Sequence, residues 1–581
     1  MKKILLSLAT LALLSMATAE PFVWSNAWTA ADPSEVVTGG TFRDYAISDP
    51  RTFNPFVSAE SNQVVDLADS TVLLTQGPDS DAFIGYMAES FTISEDGLVV
   101  TITVRQGMKW SDGDDITGQD FYFTYLAQTD PDVGSNSYDG WFIGDAQIEG
   151  ELVDEYTLRF TFPAQDRTAL PVLAFSPAPD HILGEIYRSG GAEALKAAWG
   201  TDSDVSETVW ATAFVPVEYL EGQRVVFERN PYFGEWNVDE TGRALPYMDR
   251  YIVQTVESTD AALNLYLAGE LDAYSPANLD QVGVVNQAIN NGDIDATLLA
   301  NVAPVASSQF IVFNWNKASD PFRQAVFRNV KFRQAMSHLV DREAIIELVY
   351  GGAAAPMWSN VYQVNEFWVN DDVPKFPFDP ERAAQLLAEI GFAERNSDGI
   401  LVDSDGNALT FTLATNAGNS QREQIVQLFA DAAREVGVQV DVQAVDFNLL
   451  VDQLLSTGDD RPFDSILIGL SGGSRVWPFG SNVIPCGTNL HMYNASGDCI
   501  FAQETLAEEL YYQGRQTLDT DAALQIGNQI QATLATLQAQ IYTVSPLSHY
   551  SWLNSVRGEH PEGLINDAVG SRELPLTFKV D

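Results

Sequence analysis

Cysteine and histidine are scarce in this chain. Its 581 residues include two cysteines, Cys486 and Cys499, and five histidines. Structural zinc sites usually take four ligands of these types, and only His491 lies near the two cysteines in sequence. We therefore expect no metal site and no cofactor. In an exported protein, two cysteines at this spacing predict a disulfide, and the alternative is a pair of unpaired buried thiols.

Basic side chains are also few. The chain has 31 Lys and Arg against 80 Asp and Glu, which gives a net charge of −49. A surface this acidic repels nucleic acid and anionic lipid, so we expect no nucleic-acid partner. High net charge favours solubility, and adaptation to a salty environment is the alternative explanation. Hydrophobic residues make up 45% of the chain, which is typical of a globular protein, and the length predicts several structural units.

Long apolar runs are missing beyond the N-terminus, where no stretch reaches the roughly 18 residues that a membrane span needs. The first twenty residues, MKKILLSLATLALLSMATAE, have the features of a secretory signal peptide. Lys2 and Lys3 precede the apolar run Ile4–Met16 and the A-x-A cleavage site Ala17–Ala19. No cysteine follows this run, so we expect no lipoprotein anchor. The sequence predicts cleavage after Ala19 and a soluble, exported, periplasmic protein.

Turn residues divide the N-terminal half into short strands. Residues 88–104 alternate around an Asp-Gly turn and predict a hairpin, and residues 117–125 open a helix. Residues 151–162 predict a single strand. The Asp-rich segments 112–115 and 403–407 lack the Gly and Glu positions of an EF-hand loop. We therefore interpret both segments as turns.

Helices and strands alternate in the C-terminal half. The pattern predicts one helix over Val330–Gly351. Further along, helices at 421–436 and 447–456 separate strands at 411–414, 438–442 and 463–470. This β-α-β-α-β order predicts a mainly parallel sheet. Open α/β sheets bind ligands beyond the carboxyl ends of their strands, and Gly469–Trp477 follows the last of these strands.

The segment after that strand contains the pattern G-x-S-x-G. Residues 469–473, GLSGG, match the nucleophile elbow of serine hydrolases. An elbow needs a helix directly after the serine, because the helix N-terminus forms part of the oxyanion site. The sequence after Ser471 is instead rich in Gly and Pro. We interpret it as backbone that approaches a ligand closely, which glycine permits, and we expect no catalytic residue; a hydrolase using Ser471 is the alternative.

Four blocks of sequence, in order along the chain, carry a family resemblance. They are Gly39–Phe56, Ala88–Tyr125, Arg229–Phe233 with Leu245–Asp249, and Val330–Gly352. Together they resemble the family 5 extracellular solute-binding proteins, which are oligopeptide, dipeptide and nickel receptors of ABC importers. The resemblance covers nearly the whole mature chain, and weaker similarity continues through the C-terminal strands and helices.

The resemblance implies an α/β, periplasmic-binding-protein-like fold of the three-domain, cluster C type. Two lobes close on a ligand, and an extra domain is inserted in the first lobe. We predict domain I (lobe 1) at residues 20–75, 200–305 and 546–581, the inserted domain II at 76–199, and domain III (lobe 2) at 306–545. Hinge motion is expected where the chain crosses between the lobes, near residues 300–310 and 540–550.

The candidate ligand contacts combine Gly-rich backbone with aromatic side chains, which stack on sugars or pack against peptide side chains. Peptide receptors of this family often carry charged residues after the corresponding strand, to pair with peptide termini. Here Arg475 is the one charged residue between positions 471 and 482. We predict ligand contacts at Tyr45, Trp358, Gly469, Leu470, Ser471, Gly472, Arg475, Trp477 and His491, with Trp368 and Phe479 as further aromatic candidates.

The resemblance implies a receptor that performs no chemistry. We expect an exported substrate-binding protein that captures oligopeptides between its lobes and delivers them to the permease subunits of an ABC transporter. An oligosaccharide is the alternative small-molecule ligand, and we expect a monomer. The alternatives from other classes are the serine hydrolase and a structural or chaperone-like envelope protein.

Overall fold

The computed structural model describes residues 20–24, 32–58, 60, 62–76, 82–472, 474–558 and 574–580. The predicted signal peptide, residues 1–19, lies outside the described residues. Helices and strands are numbered below in chain order.

A mixed five-stranded sheet forms the centre of one half of the molecule, which we call lobe 2. Its strands are, in spatial order, β22 (Gln439–Val445), β21 (Thr410–Asn416), β23 (Ser465–Ile468), β17 (Phe310–Phe313) and β24 (Gln540–Tyr542). β21 runs parallel to β22 and β23, as the alternation of strands and helices predicts. β17 is antiparallel to β23 and β24, because these strands come from distant parts of the chain and are not joined by β-α-β crossovers.

Lobe 2 is stabilised by the hydrophobic core around this sheet. The three strands β17, β23 and β24 are completely buried. Helix α12 (Ser420–Val436) covers the sheet with an apolar face that includes Ile425, Phe429 and Ala433, at the spacing of one helical face. The helix ends at Gly437 in the left-handed conformation, as its sequence predicts.

The other half, which we call lobe 1, contains three further sheets. Their strands are β11 (Phe214–Leu220), β12 (Arg224–Arg229), β14 (Arg250–Thr255) and β2 (Thr41–Ala46) in the first; β5 (Ala88–Ile93), β6 (Val99–Val104), β10 (Thr157–Thr161) and β9 (Glu149–Asp154) in the second; and β15 (Ala273–Tyr274), β26 (Tyr550–Leu553) and β16 (Ala296–Leu299) in the third. The first two sheets share one hydrophobic core. In the third sheet, the middle strand β26 comes from the C-terminal end of the chain.

Two-stranded ladders complete the sheet structure. They are β1 (Phe22–Trp24) with β13 (Asn237–Asp239), β3 (Leu74–Gln76) with β4 (Phe83–Gly85), β7 (Phe142–Ile143) with β8 (Ala146–Gln147), β18 (Ala354–Pro356) with β25 (Val544–Pro546), β19 (Glu394–Arg395) with β20 (Leu401–Val402), and β27 (Val556–Arg557) with β28 (Phe578–Lys579). The helices other than α12 are α1 (Gln63–Ala68), α2 (Gly118–Gln128), α3 (Ala169–Val172), α4 (Glu185–Ala197), α5 (Phe233–Trp236), α6 (Thr259–Leu267), α7 (Leu279–Asn291), α8 (Pro321–Arg328), α9 (Val330–Ser337), α10 (Arg342–Val349), α11 (Pro380–Glu389), α13 (Phe447–Leu455), α14 (Ala502–Arg515) and α15 (Thr520–Leu537).

Most predicted elements are confirmed, and two predictions are wrong in the same way. The predicted single strand over 151–162 is the hairpin β9–β10, because Asp154 accepts a hydrogen bond from the backbone of Tyr156 and forms a tight turn. The predicted helix over Val330–Gly351 is two helices, because Asp341 caps the start of α10 through the backbone N–H of Ala344. In both places an Asp side chain ends one element and begins the next.

The chain passes between the lobes in two neighbouring segments, 300–309 and 543–549. Their backbones are hydrogen-bonded to each other: Val302 N donates to Ser548 O at 3.0 Å, and Ser548 N donates to Ala303 O at 2.7 Å. Pro304 and Leu547 form an isolated bridge between them. These crossing segments coincide with the predicted hinge positions, so a rotation of one lobe against the other bends both segments together.

Candidate functional site

A cavity of about 580 Å³ lies between the two lobes. Lobe 1 supplies one wall, from residues between 55 and 178, and lobe 2 supplies the other, from residues between 308 and 542. Small-molecule sites usually have volumes of about 300–1,000 Å³. A ligand of ordinary size in this cavity contacts both lobes, and it therefore binds the closed arrangement better than an open one.

The lobe 2 wall begins where the chain leaves β23. Ser471 pairs with Ser307 in an antiparallel bridge, in which Ser308 N donates to Leu470 O at 2.9 Å and Gly472 N donates to Ala306 O at 3.3 Å. In a bridge of this kind, the N–H and C=O of the central pair point away from the partner strand. Ser471 is exposed and lines the cavity. Its backbone N–H and C=O therefore point away from the crossing segment 306–308.

Gly469 makes this bridge possible. A Cβ atom at this position would lie 2.0 Å from the backbone oxygen of Ser308, so any other residue would push the two segments apart. Glycine does allow a close approach here, but the partner of Gly469 is the protein's own crossing segment, and the predicted close approach to a ligand stays a prediction. Leu470 is fixed from a second side, because the Tyr362 hydroxyl donates to its backbone oxygen at 3.1 Å.

Aromatic rings form the next part of the lobe 2 wall. The Trp477 ring packs edge-on against Trp368 at 5.6 Å and in a tilted orientation against Phe479 at 4.5 Å between ring centroids. Its side chain is 2% exposed, and its Nε1 is a buried donor with no partner among the described residues. Helix α14 lies directly against the ring, since a Cβ on Gly514 would be 2.0 Å from a ring carbon. Trp477 therefore lines the cavity as part of a tightly packed wall.

A buried ion pair joins the two walls. Arg515, the last residue of α14, donates Nη2 to Asp166 Oδ2 at 2.7 Å, with both side chains 1% exposed or less. The same guanidinium donates to the backbone oxygens of Gly140 and Phe142. Burial alone would lower the pKa of Arg515, but Tyr511 and Asp166 outweigh it and raise that pKa. The guanidinium is thus held charged by Tyr511 of its own helix and by Asp166 of lobe 1, while its backbone belongs to lobe 2.

The cavity is almost free of charge. Asp69 and Arg515 are the charged side chains among the described residues that line it, and Arg515 is engaged as above. The remaining polar lining is neutral and consists of Thr124, Gln128, Asn136, Ser137, Thr168, Ser176, Ser308, Asn360, Tyr362, Ser471, Ser474, Ser481, Asn482, Tyr511 and Tyr542. Hydroxyl and amide groups of this kind donate and accept hydrogen bonds, so the cavity suits an uncharged polar ligand.

A second pocket between the lobes, which we call the outer pocket, has the opposite character. It is lined by Asp49, Asp202, Glu221, Glu257, Asp446 and Asp452, with Arg51 and Lys196 as the cations. Arg51 of lobe 1 forms an ion pair with Asp452 of lobe 2. Asn448 at the start of α13 also donates to the backbone oxygen of Asp49 at 3.4 Å. The outer pocket therefore joins the lobes through exposed charges.

Four of the nine predicted contacts line the cavity: Leu470, Ser471, Gly472 and Trp477. Gly469 lies behind this lining, and Arg475 is exposed two residues before Trp477. The other three, Tyr45, Trp358 and His491, lie elsewhere in the structure. Their roles as ligand contacts stay predictions, and the contacts described next account for all three in the absence of a ligand.

Tyr45 belongs to β2 and packs against Tyr274 at 5.8 Å between ring centroids, and burial raises the pKa of its hydroxyl. Trp358 lies under the guanidinium of Arg342, whose Cζ is 4.2 Å from the ring centroid. Burial lowers the pKa of Arg342 to about 9. A cation–π contact stabilises such a desolvated guanidinium, which gives Trp358 a structural role.

His491 holds the loop that forms the lobe 2 wall. Its Nδ1 is 3.0 Å from Val483 O, and its Nε2 is 3.2 Å from Glu504 Oε1, with the ring 1% exposed. The same loop is closed by the disulfide between Cys486 and Cys499, which confirms the predicted pairing. The disulfide also explains why the grouping of Cys486, His491 and Glu504 offers no thiolate for a metal ion.

A second grouping of metal-ligating side chains, Asp112, Asp114 and His181, lies outside the cavity lining. His181 Nε2 is 2.8 Å from Asp112 Oδ2 and 3.6 Å from Asp114 Oδ2. All three side chains are partly exposed, and the Asp residues belong to the predicted turn, which the structure confirms. A hydrogen bond between His181 and Asp112 accounts for the arrangement.

The region after Ser471 does not have the shape of a nucleophile elbow. The described residues between β23 and α14 form turns and irregular backbone, so no helix N-terminus follows the serine. His549, which chain order would make the histidine of a triad, is 2% exposed and accepts a hydrogen bond from the backbone of Asn301. The imidazole of His549 therefore already takes part in a hydrogen bond within the crossing segments.

Sequence reasoning missed the lobe 1 wall. Asn136 and Ser176 line the cavity from lobe 1, and Asn360 lines it from lobe 2. Ser176 Oγ and Asn360 Oδ1 are buried polar atoms without a hydrogen-bond partner among the described residues. Isolated Ser and Asn residues in loops carry no distinctive pattern, because these residue types are common in turns. Only the folded chain brings them to one cavity.

A family model for bacterial extracellular solute-binding proteins, family 5, matches residues 82–483. The chain belongs to this family. A probable ABC transporter-binding protein of Deinococcus radiodurans is 39% identical over 594 aligned positions that cover all of both chains. The family 5 resemblance read from the sequence is therefore confirmed.

Solved structures of family 5 type proteins have the same fold as this chain. The oligopeptide-binding protein AppA from Bacillus subtilis, in complex with a nonapeptide, has a TM-score of 0.77 at 22% identity, over 94% of this chain and 100% of AppA. The periplasmic binding protein MelB from Agrobacterium fabrum, in complex with stachyose, has a TM-score of 0.81 at 20% identity, over 96% of this chain and 87% of MelB. The two-lobed periplasmic-binding-protein fold is confirmed.

This family 5 protein is a substrate-binding protein of an ABC transporter. Proteins of the family bind small molecules and are not enzymes as a class, which agrees with the geometry after Ser471. Among the residues that the structure describes, no helix has both the length and the apolar content to cross a membrane.

Proposed function

We propose that this family 5 protein captures oligopeptides in the cavity between its lobes. The observation that carries this proposal is the geometry of Ser471, whose backbone N–H and C=O point away from the partner strand at the cavity wall. A peptide in an extended conformation pairs with groups of this kind by adding a strand. Main-chain hydrogen bonds hold a peptide without selecting its side chains, which suits a receptor for varied sequences.

The rest of the cavity supports the same proposal. Neutral hydroxyl and amide groups surround the space on both sides, and aromatic rings from Trp477, Phe479 and Trp141 lie between them. Apolar surface and neutral polar groups together accept side chains of different size and polarity. AppA, which has this fold, is 26% identical over 74% of this chain and is named an oligopeptide-binding protein.

An oligosaccharide is the second candidate ligand, and one observation favours it. The cavity offers few charges for the termini of a short peptide, because Asp69 is the only carboxylate among its described lining residues. Sugars need no charged partner, and hydroxyl, amide and aromatic groups suit them. MelB, which has this fold, was solved with stachyose.

The cellular setting follows from the same family membership. We propose that residues 1–19 are removed after Ala19, that the mature protein is periplasmic and monomeric, and that the closed form delivers its ligand to the permease. We also propose the predicted boundaries of domain I, domain II and domain III. The core shared by the first two sheets of lobe 1 supports an inserted domain II that moves with lobe 1.

Native mass spectrometry of protein purified from its own envelope, without dialysis, tests the ligand class. A bound mass that fragments into amino-acid residues supports the peptide receptor. A bound mass spaced by sugar units replaces peptide with oligosaccharide. A protein that neither carries nor binds either class contradicts both candidates.

Substitution of Ser471 by Ala separates the receptor from the hydrolase. The proposed peptide contact uses the backbone of Ser471, so we expect Ser471→Ala to leave ligand affinity unchanged within about twofold, which is below the net contribution of one hydrogen bond. A hydrolase would lose its activity completely with the same substitution. Loss of an esterase or peptidase activity in Ser471→Ala would therefore contradict the assignment of this protein as a receptor.

A further inference from the structure

His549 occupies a distinctive position in the segments that cross between the lobes. Its Nδ1 is 2.9 Å from the backbone nitrogen of Asn301. A backbone N–H can only donate, so this Nδ1 accepts and carries no proton. The proton of the neutral imidazole must then be on Nε2. That Nε2 is buried without a hydrogen-bond partner among the described residues.

Asn301 is held in an uncommon backbone conformation by this contact. Its φ is +56°, in the left-handed region that L-residues other than Asn and Asp rarely adopt. The two residues that follow it belong to the ladder between the crossing segments, where Val302 N donates to Ser548 O and Ser548 N donates to Ala303 O. The bond to His549 therefore fixes a left-handed residue at the start of the hinge.

Protonation is incompatible with this arrangement. An imidazolium carries a proton on both nitrogens, so its Nδ1–H would face the N–H of Asn301 and the hydrogen bond would be lost. The segments that pair around the ring, 295–305, 353–356 and 544–553, contain one charged side chain, Asp295, and one other titratable group, Tyr550. The strand β15, which pairs with the far end of β26, adds Tyr274, and the neighbouring Asp272 is paired with Arg43 and Lys579. Asp295 accepts a hydrogen bond from Asn554 at 2.6 Å. Burial lowers the pKa of His549, and no charged neighbour contributes to that shift.

We propose that His549 makes the hinge sensitive to pH: its neutral ring holds Asn301 and the paired crossing segments, and protonation releases them. The direction of the pH effect follows from the linkage between proton binding and stability. A histidine that is buried in its neutral form stabilises the paired segments above its ordinary pKa of about 6.5, and this stabilisation is lost as the pH falls below that value. Acid then favours hinge states in which the ring is exposed, so lobe closure weakens.

Hydrogen–deuterium exchange of the backbone around Asn301 tests the proposal without any ligand. We expect the protection of residues 300–305, corrected for the pH dependence of intrinsic exchange, to fall by roughly tenfold per pH unit below about pH 6.5. The matched variant is His549→Gln, whose side-chain oxygen accepts the same hydrogen bond but does not titrate. This variant should show constant protection over the same range. His338→Gln, at the end of α9, should behave like the wild type.

Two outcomes overturn the proposal. One is a wild-type protein whose protection at 300–305 does not depend on pH, and the other is a His549→Gln variant with the same dependence as the wild type. Should that variant not fold, the titration of the His549 ring in the wild type by NMR decides, and a pKa at or above the ordinary value contradicts the proposal. Because no ligand is present, failure here is distinct from failure of the peptide assignment.

Discussion

The two spaces between the lobes differ in how they use charge. The ligand cavity is lined by neutral polar and aromatic groups, and its one internal ion pair, Arg515 with Asp166, is completely buried. The outer pocket is lined by six acidic and two basic side chains, and its ion pair, Arg51 with Asp452, is partly exposed. Exposed pairs are screened by water and salt, whereas buried pairs are not.

Because of this difference in charge, the two spaces have different roles in the interface between the lobes. The buried pair fixes the shape of the wall that meets the ligand, at the cost of desolvating two charges. The exposed charges of the outer pocket act between the lobes at longer range and contribute little to the shape of the cavity. A chain with a net charge of −49 thus keeps most of its charge away from the cavity that we propose as the ligand site.

Replacement of Arg515 by Met should have the largest effect, because it leaves the buried carboxylate of Asp166 without its cationic partner. Breaking a buried pair in this way costs roughly 3–5 kcal/mol. We expect this loss in the free energy of unfolding, measured with urea, together with weaker binding of the ligand that native mass spectrometry identifies. Arg434→Met, in the exposed pair with Asp431, is the matched control. Equal losses in the two variants would contradict the contrast between buried and exposed pairs.

Two glycine substitutions test the packing of the aromatic wall. Gly514→Ala places a methyl group against Trp477, and overpacking of this kind costs about 1–3 kcal/mol. Gly283→Ala, within α7, meets nothing within 4 Å and should stabilise the protein by about 0.4–1 kcal/mol. Thermal unfolding measures whether Gly514→Ala is destabilised and Gly283→Ala is stabilised. Ligand affinity should fall only in Gly514→Ala. A destabilised Gly283→Ala would show that helix interiors tolerate a methyl group poorly even without a contact.

The smallest effect is expected in the outer pocket. Arg51→Ala removes an exposed pair, and such pairs contribute about 0.2–1 kcal/mol. We expect ligand affinity to fall by no more than about fivefold at low salt, which is the equivalent of 1 kcal/mol, and the difference to vanish at high salt. Titrations at two ionic strengths measure this. A large loss of ligand affinity that persists at high salt would contradict this contrast, because it would show that the outer pocket contributes to binding in the way that the ligand cavity does.

The lobe 2 half of the candidate site is readily predicted from the sequence, whereas the lobe 1 half is not. Glycine at 469 and the aromatic residues after it form a local pattern on one loop, next to a recognisable buried strand. Leu470, Ser471, Gly472 and Trp477 of that loop line the cavity, and their contact with a ligand stays a prediction. Asn136 and Ser176 reach the same space from segments that are hundreds of residues away. No local pattern encodes that meeting, because it depends on how the two lobes face each other.

Two predicted contacts that lie away from the cavity stay predictions, and their packing has a cause related to that of the two wrong element predictions. Trp358 and His491 have the residue types of ligand contacts, but each is used inside the protein, under Arg342 and beside Glu504. Residue type predicts what a side chain can do, whereas its neighbours decide what it does. At Asp154 and Asp341, the side chain ends an element through a hydrogen bond only two or three residues away, and a closer search for Asp caps would find both.

The strand β26 has a consequence for biosynthesis. It lies between β15 and β16 but is made some 250 residues after them, since its first residue is Tyr550 and β16 ends at Leu299. A chain that emerges from its N-terminus therefore has all of lobe 2 available to fold while the third sheet of lobe 1 still lacks its middle strand. The arrival of β26 completes the third sheet and, in the residues just before it, aligns the second crossing segment with the first; β27 and β28 follow it in the chain. The third sheet and the paired hinge segments are thus completed by neighbouring residues of one short stretch of chain.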